Sequence, residues 1–296
     1  MKRDKILITG AGGFLGWALC RQAMPMYTVF GTYLSNPVGI KGVHSIQCDL
    51  TRYPEVKTLI SEVRPQIVVH AAAVGDPNYC QLHPAETSRI NVQSALDLAT
   101  LCADGHVCFG FTSTDLIFDG QQPPYTEEDA VNPVSVYGEQ KAEAEIKILI
   151  ANPDALVCRM PLMVGFSGSM KIGFARQMVM SILNGDPLNL FIDEYRTPVD
   201  IDCAAKGILK FTPGLSGVIH LGGRITVSRY DIGRIIASHA GVEGANINAV
   251  HQRDVPMPAP RPRDVSLDSS RAFEMGYDPM GIRSVLKRII KVFQTS

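Results

Sequence analysis

Tyr137 and Lys141, in the segment "VYGEQKAEAEI", stand four positions apart, so a helix through this stretch sets both side chains on one face. A phenol with its ordinary pKa of about 10 is a poor acid–base catalyst at neutral pH. A neighbouring ammonium stabilises phenolate, so the expectation is a tyrosine pKa brought down by Lys141. The pair then suits proton transfer at a ketone or alcohol, with the lysine also able to hold a ribose. On an ordinary solvated helix face the same spacing does no chemistry. Upstream, "STDLIFDG" from Ser113 to Gly120 follows the apolar run Val107 to Phe111 and sets hydroxyls and carboxylates where a buried strand should end. Thr114 and Asp115 stand nearest that strand end, while Asp119-Gly120 has the makeup of a turn.

A second constellation is "ITGAGGFLG", with Gly10, Gly13 and Gly16 at three-residue spacing between a strand and a helix. Glycines let the turn be tight, let backbone approach a pyrophosphate and let helix pack on strand, while the helix N-terminus offers free N–H groups to the anion. Gly10, Gly12, Gly13, Phe14, Leu15 and Gly16 are therefore candidate dinucleotide-binding residues. Leu15 stands where the common GxGxxG pattern has its last glycine, and the alternative is that the glycines serve packing alone. An NAD site usually carries an acid at the end of the second strand, about 20 residues on. Here "GTYLSNP" has no Asp or Glu from Tyr27 to Asn36. A 2′-phosphate would meet no repulsion, and Ser35 and Asn36 can donate to it, but no arginine joins them; the balance tilts modestly toward NADP(H) over NAD(H). Asp49, with Leu50 beside it in "QCDL", is positioned either to accept from an adenine amino group or to cap a turn or helix.

The elements that must position these residues follow from hydrophobic periodicity. Apolar runs of strand length, "KILITG", "YTVFGTY", "VHSIQC", "QIVVHAAA", "HVCFGFTS" and "ALVCRM", alternate with helical patterns from about Gly13, from Glu55 to Val63, from Pro84 to Ala103 and from Val134 to Ala151. Continuous apolar strands between helices predict a Rossmann-type α/β fold, a doubly wound parallel sheet covered on both faces. Right-handed crossovers then gather the strand C-terminal ends on one edge, where a ligand sits. Residues 1–160 are expected to form the dinucleotide-binding domain. Residues 161–296, richer in Gly and Pro, are expected to form a smaller α/β substrate lobe partly interleaved with it, whose last strand and helices can return to the first domain. Asp200 and Asp202 read as caps of the helix "DCAAKGILKF", and a helix from Ile282 to Phe293 closes the chain.

The chain has 296 residues, with 28 Lys and Arg against 29 Asp and Glu. That balance leaves no net field to recruit nucleic acid or an anionic membrane, so a small molecule is the expected partner. The seven cysteines are odd in number, scattered and free of CxxC pairs, as in a reduced cytoplasmic protein. The N-terminal apolar run is too short for a signal peptide, and no stretch is long enough for a membrane span. The histidines show no metal-ligand spacing, so no metal is expected; His70, at the end of a strand, is the one nearest the candidate site.

Taken in order, Gly10-x-x-Gly13-x-x-Gly16, "HAAA", Asn91, "STD" and Tyr137-x-x-x-Lys141 resemble the extended short-chain dehydrogenases/reductases. Within them "YTEEDAVNPVSVYGEQKAEAE", "RTPVDIDCAA" and "RPRDVSLDSSRAFEMGYDP" look like the dTDP-4-dehydrorhamnose reductase branch, which includes the regulatory β-subunit of methionine adenosyltransferase. The resemblance spans nearly the whole chain. It implies an NAD(P)H-dependent reductase of a keto group on a nucleotide-linked sugar. Tyr137 would be the proton donor, Lys141 its electrostatic partner and Thr114 the hydroxyl orienting the ketone. Ala71, Ala72 and Ala73 would line the cofactor's path, and Asn91 would support a water or the lysine from behind. Asp115 would line the sugar pocket. Arg159, Arg196, Arg261 and Arg263 fall in segments similar to substrate-lobe motifs; Arg196 matches a diphosphate-binding arginine, with Arg261 or Arg263 as a second clamp.

Two departures qualify the resemblance. Where rhamnose-forming reductases carry a tryptophan, "RMPLMVG" places Leu162, which leaves an aromatic platform missing there. Where dehydratases carry an Asp-Glu pair, Asp115 is followed by Leu116, which removes a base for elimination. Epimerisation and a non-catalytic, NADP-binding regulatory role beside a methionine adenosyltransferase-like enzyme stay open as alternatives, as does a homodimer.

Overall fold

The computed structural model describes residues 3–166 and 173–294. The first half runs β1 (Lys5–Thr9), α1 (Phe14–Ala23), β2 (Thr28–Tyr33), β3 (His44–Gln47), α2 (Tyr53–Val63), β4 (Ile67–His70), α3 (Pro77–Leu82), α4 (Pro84–Ser88), α5 (Ser94–Asp104), β5 (Cys108–Thr112), α6 (Val136–Ala151) and β6 (Leu156–Arg159). There follow β7 (Met163–Val164), α7 (Phe174–Asn184), β8 (Leu188–Phe191), β9 (Tyr195–Arg196), β10 (Val199–Asp200), α8 (Ile201–Phe211), β11 (Gly217–His220), β12 (Val227–Ser228), α9 (Arg229–Ala240), β13 (Ile247–Val250), α10 (Ser270–Glu274) and α11 (Ile282–Gln294).

Seven strands form one parallel sheet in the order β11-β6-β5-β4-β1-β2-β3. All four residues of β4 and of β6 are buried, as a strand covered on both faces requires. Alternate residues of β1 divide between two cores: Ile6 and Ile8 pack with Leu19 and Ile208 on one face, and Leu7 packs with Leu98 and Ile148 on the other. The fold is thus a Rossmann-type doubly wound sheet with an additional lobe. The lobe has its own core, from α7, α9 and α11. On α11 the buried residues Ile282, Val285, Leu286, Ile289 and Ile290 recur at the spacing of one helix face. The second half of the chain does not stay in the lobe, because β11 pairs with β6 and α8 packs on α1. The strand order reverses at β1, between β2 and β4, and such a switch point opens a crevice at the strand C-terminal ends.

Two local departures matter to the site. The single helix expected from Pro84 to Ala103 is α4 and α5 joined by a π-helical turn, Arg89–Gln93, and short α3 precedes it. In that turn buried Asn91 accepts from the Val74 N–H at 2.8 Å, donates to the Val74 carbonyl at 3.1 Å and donates to Gln140 Oε1 at 2.9 Å. The widened turn therefore staples the loop after β4 to α6. The second departure is at α8, where Asp200 alone is the cap, accepting from the amides of Asp202 and Cys203. Asp202 instead pairs with Arg21.

Candidate active site

Two adjoining cavities open along the C-terminal edge of the sheet. The first, about 520 Å³, is lined by Gly10, Gly12, Gly13, Ser35, Asn36, Asp49, Leu50, Ala71, Ala72 and Ala73, with Thr32, Glu86 and Arg89 among the other walls. Its floor is built to let backbone come close. Gly10 has φ +64, and a Cβ there would lie 2.7 Å from the Ala72 Cα; only glycine accepts both conditions. A Cβ on Gly12 would lie 2.7 Å from the Asn36 carbonyl. The helix α1 starts against this floor with Gly13 as N-cap and no side-chain cap, so its first amides remain available to an anion. These residues fit a dinucleotide pyrophosphate. Gly16 and Leu15 do other work: a Cβ on Gly16 would fall 2.1 Å from the Gly10 carbonyl, and Leu15 is buried in the core. They bring helix onto strand and do not line the cavity.

Asp49 forms a turn by accepting from the Thr51 amide at 2.9 Å and hydroxyl at 2.7 Å. These bonds hold its pKa below the usual value, with Arg52 and Arg89 acting the same way. Arg89 is a cation near Asp49 in the wall of this cavity that sequence reasoning missed, since it lies far along the chain from the second strand. The Thr9 hydroxyl accepts from the amides of Ala71 and Ala72 at 3.2 and 3.3 Å, so its own proton goes to His70 Nδ1 at 2.7 Å. Burial, and next the Lys141 charge, push the His70 pKa down to about 3. His70 is therefore a neutral support beneath the cavity floor.

The second cavity, about 420 Å³, is lined by Ser113, Thr114, Asp115, Leu116 and Tyr137 and, facing them, Glu194, Arg196, Arg229 and Arg261. Thr114 ends the extended segment after β5 and caps a 3-10 turn, Asp115–Ile117, accepting from the Leu116 amide at 3.2 Å and donating to Asp115 Oδ1 at 3.2 Å. Tyr137 enters from the first turn of α6, which Ser135 caps. Next to it Gly138 is pressed against the 3-10 turn, where a Cβ would lie 2.2 Å from the Leu116 carbonyl. That contact sets how close the phenol comes to Thr114.

The tyrosine's electrostatics differ from the sequence expectation. Its pKa is pushed up, by burial first and then by the Asp115 charge, with the side-chain hydrogen bond between Tyr137 and Thr114 acting the other way. Lys141 does not offset this, because its ammonium is turned away: it donates to the Thr112 carbonyl at 2.6 Å and lies 3.8 Å from the centroid of the Phe111 ring. Burial brings the lysine pKa down to about 7. Asn91 does not reach this lysine either, being spent on Val74 and Gln140. Asp115 is buried, and the same desolvation raises its pKa to about 6 against the pull of Arg196.

The four arginines singled out in the sequence separate cleanly. Arg196 lies 3.3 Å from Asp115 and 3.6 Å from Glu194, whose carboxylate also holds Arg229 at 2.9 Å. Arg261 donates to Asn78 at 3.0 Å and lines the cavity. Arg263 is exposed and outside it. Arg159 is buried against Glu145 at 2.9 Å and beneath Phe118, a structural pair. Three guanidiniums against two carboxylates leave the wall suited to an anion. Although Leu162 is not aromatic, Phe14 and Phe174 both line this cavity, so aromatic surface arrives from α1 and α7 instead. Glu194, Arg229 and Phe174 carried no sequence signal, because they stand in no motif and meet only through packing of the lobe. Among the described residues no helix is long and apolar enough to cross a membrane.

Residues 4–295 match the family described as RmlD substrate binding domain. Among curated proteins, the chain is 31% identical over 269 residues to the probable low-salt glycan biosynthesis reductase Agl14 of Haloferax volcanii, covering 89% of each chain. It is 27% identical to methionine adenosyltransferase 2 subunit beta of Xenopus laevis, covering 95% of this chain and 87% of that one. Among solved structures, a hypothetical dTDP-4-dehydrorhamnose reductase from Sulfolobus tokodaii is 28% identical with a TM-score of 0.84, over 94% of this chain and 98% of that one. The same fold holds NADP in dTDP-4-dehydrorhamnose reductase from Bacillus anthracis (20% identity, TM-score 0.86, 99% and 100% covered). It holds NAD in UDP-glucose 4-epimerase from Thermus thermophilus (19% identity, TM-score 0.84, 99% and 99% covered).

Proposed function

The chain belongs to the RmlD substrate binding domain family of extended short-chain dehydrogenases/reductases, and on that premise we propose that it is an NAD(P)H-dependent reductase of a keto group on a nucleotide-linked sugar. One observation carries the reading: Thr114 and Tyr137 share a cavity with Arg196, Arg229 and Arg261, beside a glycine-floored cavity that fits a dinucleotide. In this reading the arginine wall takes the diphosphate and sets the sugar's carbonyl toward Thr114 and Tyr137. A nicotinamide dinucleotide held by the glycine-floored cavity would supply the hydride. Thr114 orients the ketone oxygen, and Tyr137 gives it a proton. A phenol whose pKa is raised stays protonated at neutral pH, the state a proton donor needs. Lys141, anchored on Thr112, steadies the C-terminal end of β5 beneath the cavity. Leu116 lines the cavity without a carboxylate, which favours reduction over elimination. The dinucleotide is proposed as NADP(H), because Tyr33, Leu34, Ser35 and Asn36, the part of the cavity border that ends the second strand, carry no acid to repel a 2′-phosphate.

The test is oxidation of NADPH and NADH across a panel of nucleotide-linked keto sugars, with Tyr137→Phe as control. Turnover with at least one keto sugar, lost in Tyr137→Phe while NADPH still binds, is the expected result. The likeness to methionine adenosyltransferase 2 subunit beta favours a second reading, a dinucleotide-binding regulatory subunit. A larger enzyme that co-purifies with the chain and is unaffected by Tyr137→Phe would support that reading instead.

A further inference from the structure

We propose that Asp115 couples the arginine wall to Tyr137: when the diphosphate of a nucleotide sugar engages Arg196, Asp115 takes a proton from solvent, and the phenol loses the carboxylate charge it faces. The proposal rests on the functional reading above and adds a role to a residue placed there only as a pocket wall.

The geometry that carries it is the weakness of the pairing. Asp115 is 3% exposed, yet its Oδ2 has no hydrogen-bond partner. Arg196 Nε lies 3.3 Å from that oxygen, within ion-pair distance but without the alignment of a hydrogen bond. The guanidinium is committed elsewhere, through Nη1 to the Tyr195 carbonyl at 2.7 Å and through Nη2 toward Glu194 at 3.6 Å. Asp115 thus holds a buried charge on the Thr114 hydroxyl at Oδ1 and on one indirect contact at Oδ2. The groups facing it are few. Thr114 on its own segment, Arg196 on β9 and Arg229 at the start of α9 favour the carboxylate, while burial and Glu194 oppose it. These opposing influences leave the group at about pH 6, close enough to neutrality for a nearby charge to decide its state. Tyr137, on α6, is the group on which the consequence falls, since the Asp115 charge is one of the causes that raise its pKa.

A diphosphate diester brings two negative charges to this wall. It draws Arg196 away from Asp115 electrostatically and repels the carboxylate directly, and both effects favour the acid form. The proton comes from solvent and settles on the unpartnered Oδ2. A neutral Asp115 then offers the sugar a donor as well as an acceptor. Tyr137, freed of the opposing charge, becomes a stronger acid only once substrate is seated, when a proton is needed.

The experiment is calorimetric titration of the full chain with UDP-glucose and with dTDP-glucose, in pairs of buffers that differ in ionisation heat. Both probes are diesters whose phosphates do not titrate near neutrality, so any proton taken up belongs to the protein. A rise of about one pKa unit or more predicts uptake of roughly half a proton per site at about pH 6.5, fading toward about pH 9 and below about pH 5. Asp115→Asn should still bind and show no such uptake. Binding heat independent of buffer in the wild-type chain overturns the coupling, as does uptake that is flat across this pH range or unchanged in Asp115→Asn. The wild-type pH series stands without the variant. Failure of both nucleotide sugars to bind at all is a different outcome, and it overturns the functional reading along with the coupling.

Discussion

Gly138→Ala is the substitution whose effect the structure specifies most closely. A Cβ at this position would lie 2.2 Å from the Leu116 carbonyl and 2.9 Å from the Pro133 Cβ, where real Cβ atoms essentially never come within 3.0 Å. One neighbour is a backbone oxygen in the turn Thr114 caps and the other a proline ring atom, and neither is a flexible side-chain end that could swing aside. Helix α6 must therefore move off the 3-10 turn by about 0.8 Å or more, carrying Tyr137 with it. The stability cost is small in net terms: overpacking of about 1–3 kcal/mol is partly offset by a helix-propensity gain of about 1 kcal/mol for Gly→Ala. The catalytic cost is larger, because a displacement of about 1 Å between acid and substrate can lower turnover by about 100-fold. The assay is NADPH oxidation with the best keto-sugar of the panel, beside NADPH affinity by fluorescence and a urea melt. The expected pattern is a drop in kcat of about 10- to 100-fold with NADPH affinity within about twofold and the fold intact. Wild-type kcat in a folded Gly138→Ala protein would refute the argument that this contact sets the distance between phenol and Thr114.

Other outcomes follow from the same geometry. Lys141→Met should abolish most turnover yet stabilise the protein by about 1–3 kcal/mol at neutral pH, because it removes a buried amine. The sign follows from the lysine's lowered pKa of about 7. The unfolded chain holds that proton up to about pH 10.4, so wild-type stability rises with pH across this window and the variant's advantage shrinks by up to about 1.4 kcal/mol per pH unit; urea melts at several pH values read it. His70 and His220, with pKa values pushed down to about 3 and about 4, contribute stability that is full above about pH 6.5 and lost as pH falls toward those values. Asp115, with its raised pKa, offsets part of that loss below about pH 6, so melts at about pH 7 and pH 5 should show a net decline. Arg261→Ala should raise KM for the nucleotide sugar by about 10-fold or more, whereas Arg263→Ala should leave it unchanged. Equal effects in steady-state kinetics would remove Arg261 from the anion wall.

The amino-acid sequence by itself determined the alternation of buried strands and helices, the glycine turn, the threonine at the end of β5 and the shared face of Tyr137 and Lys141. These are consequences of short-range sterics and of the two side-chain periods, 3.6 and 2.0, which any window of the chain carries. Only the tertiary structure decided how the charges pair. Lys141 was expected to lower the tyrosine's pKa; packing of α6 on β5 instead turns its ammonium to the Thr112 carbonyl, leaving burial and Asp115 to raise it. Arg159 and Arg196 look alike in sequence, but one meets Glu145 inside the sheet layer and the other meets Asp115 and Glu194 at the cavity. Arg261 and Arg263 are two residues apart, and the course of one loop separates a cavity wall from a solvated surface. Phe14 and Phe174 supply aromatic surface that the local motif around Leu162 lacks. A charge or ring finds its partner across strand order and lobe packing, and the energy of that pairing depends on burial and a few ångströms of distance that no local spacing encodes.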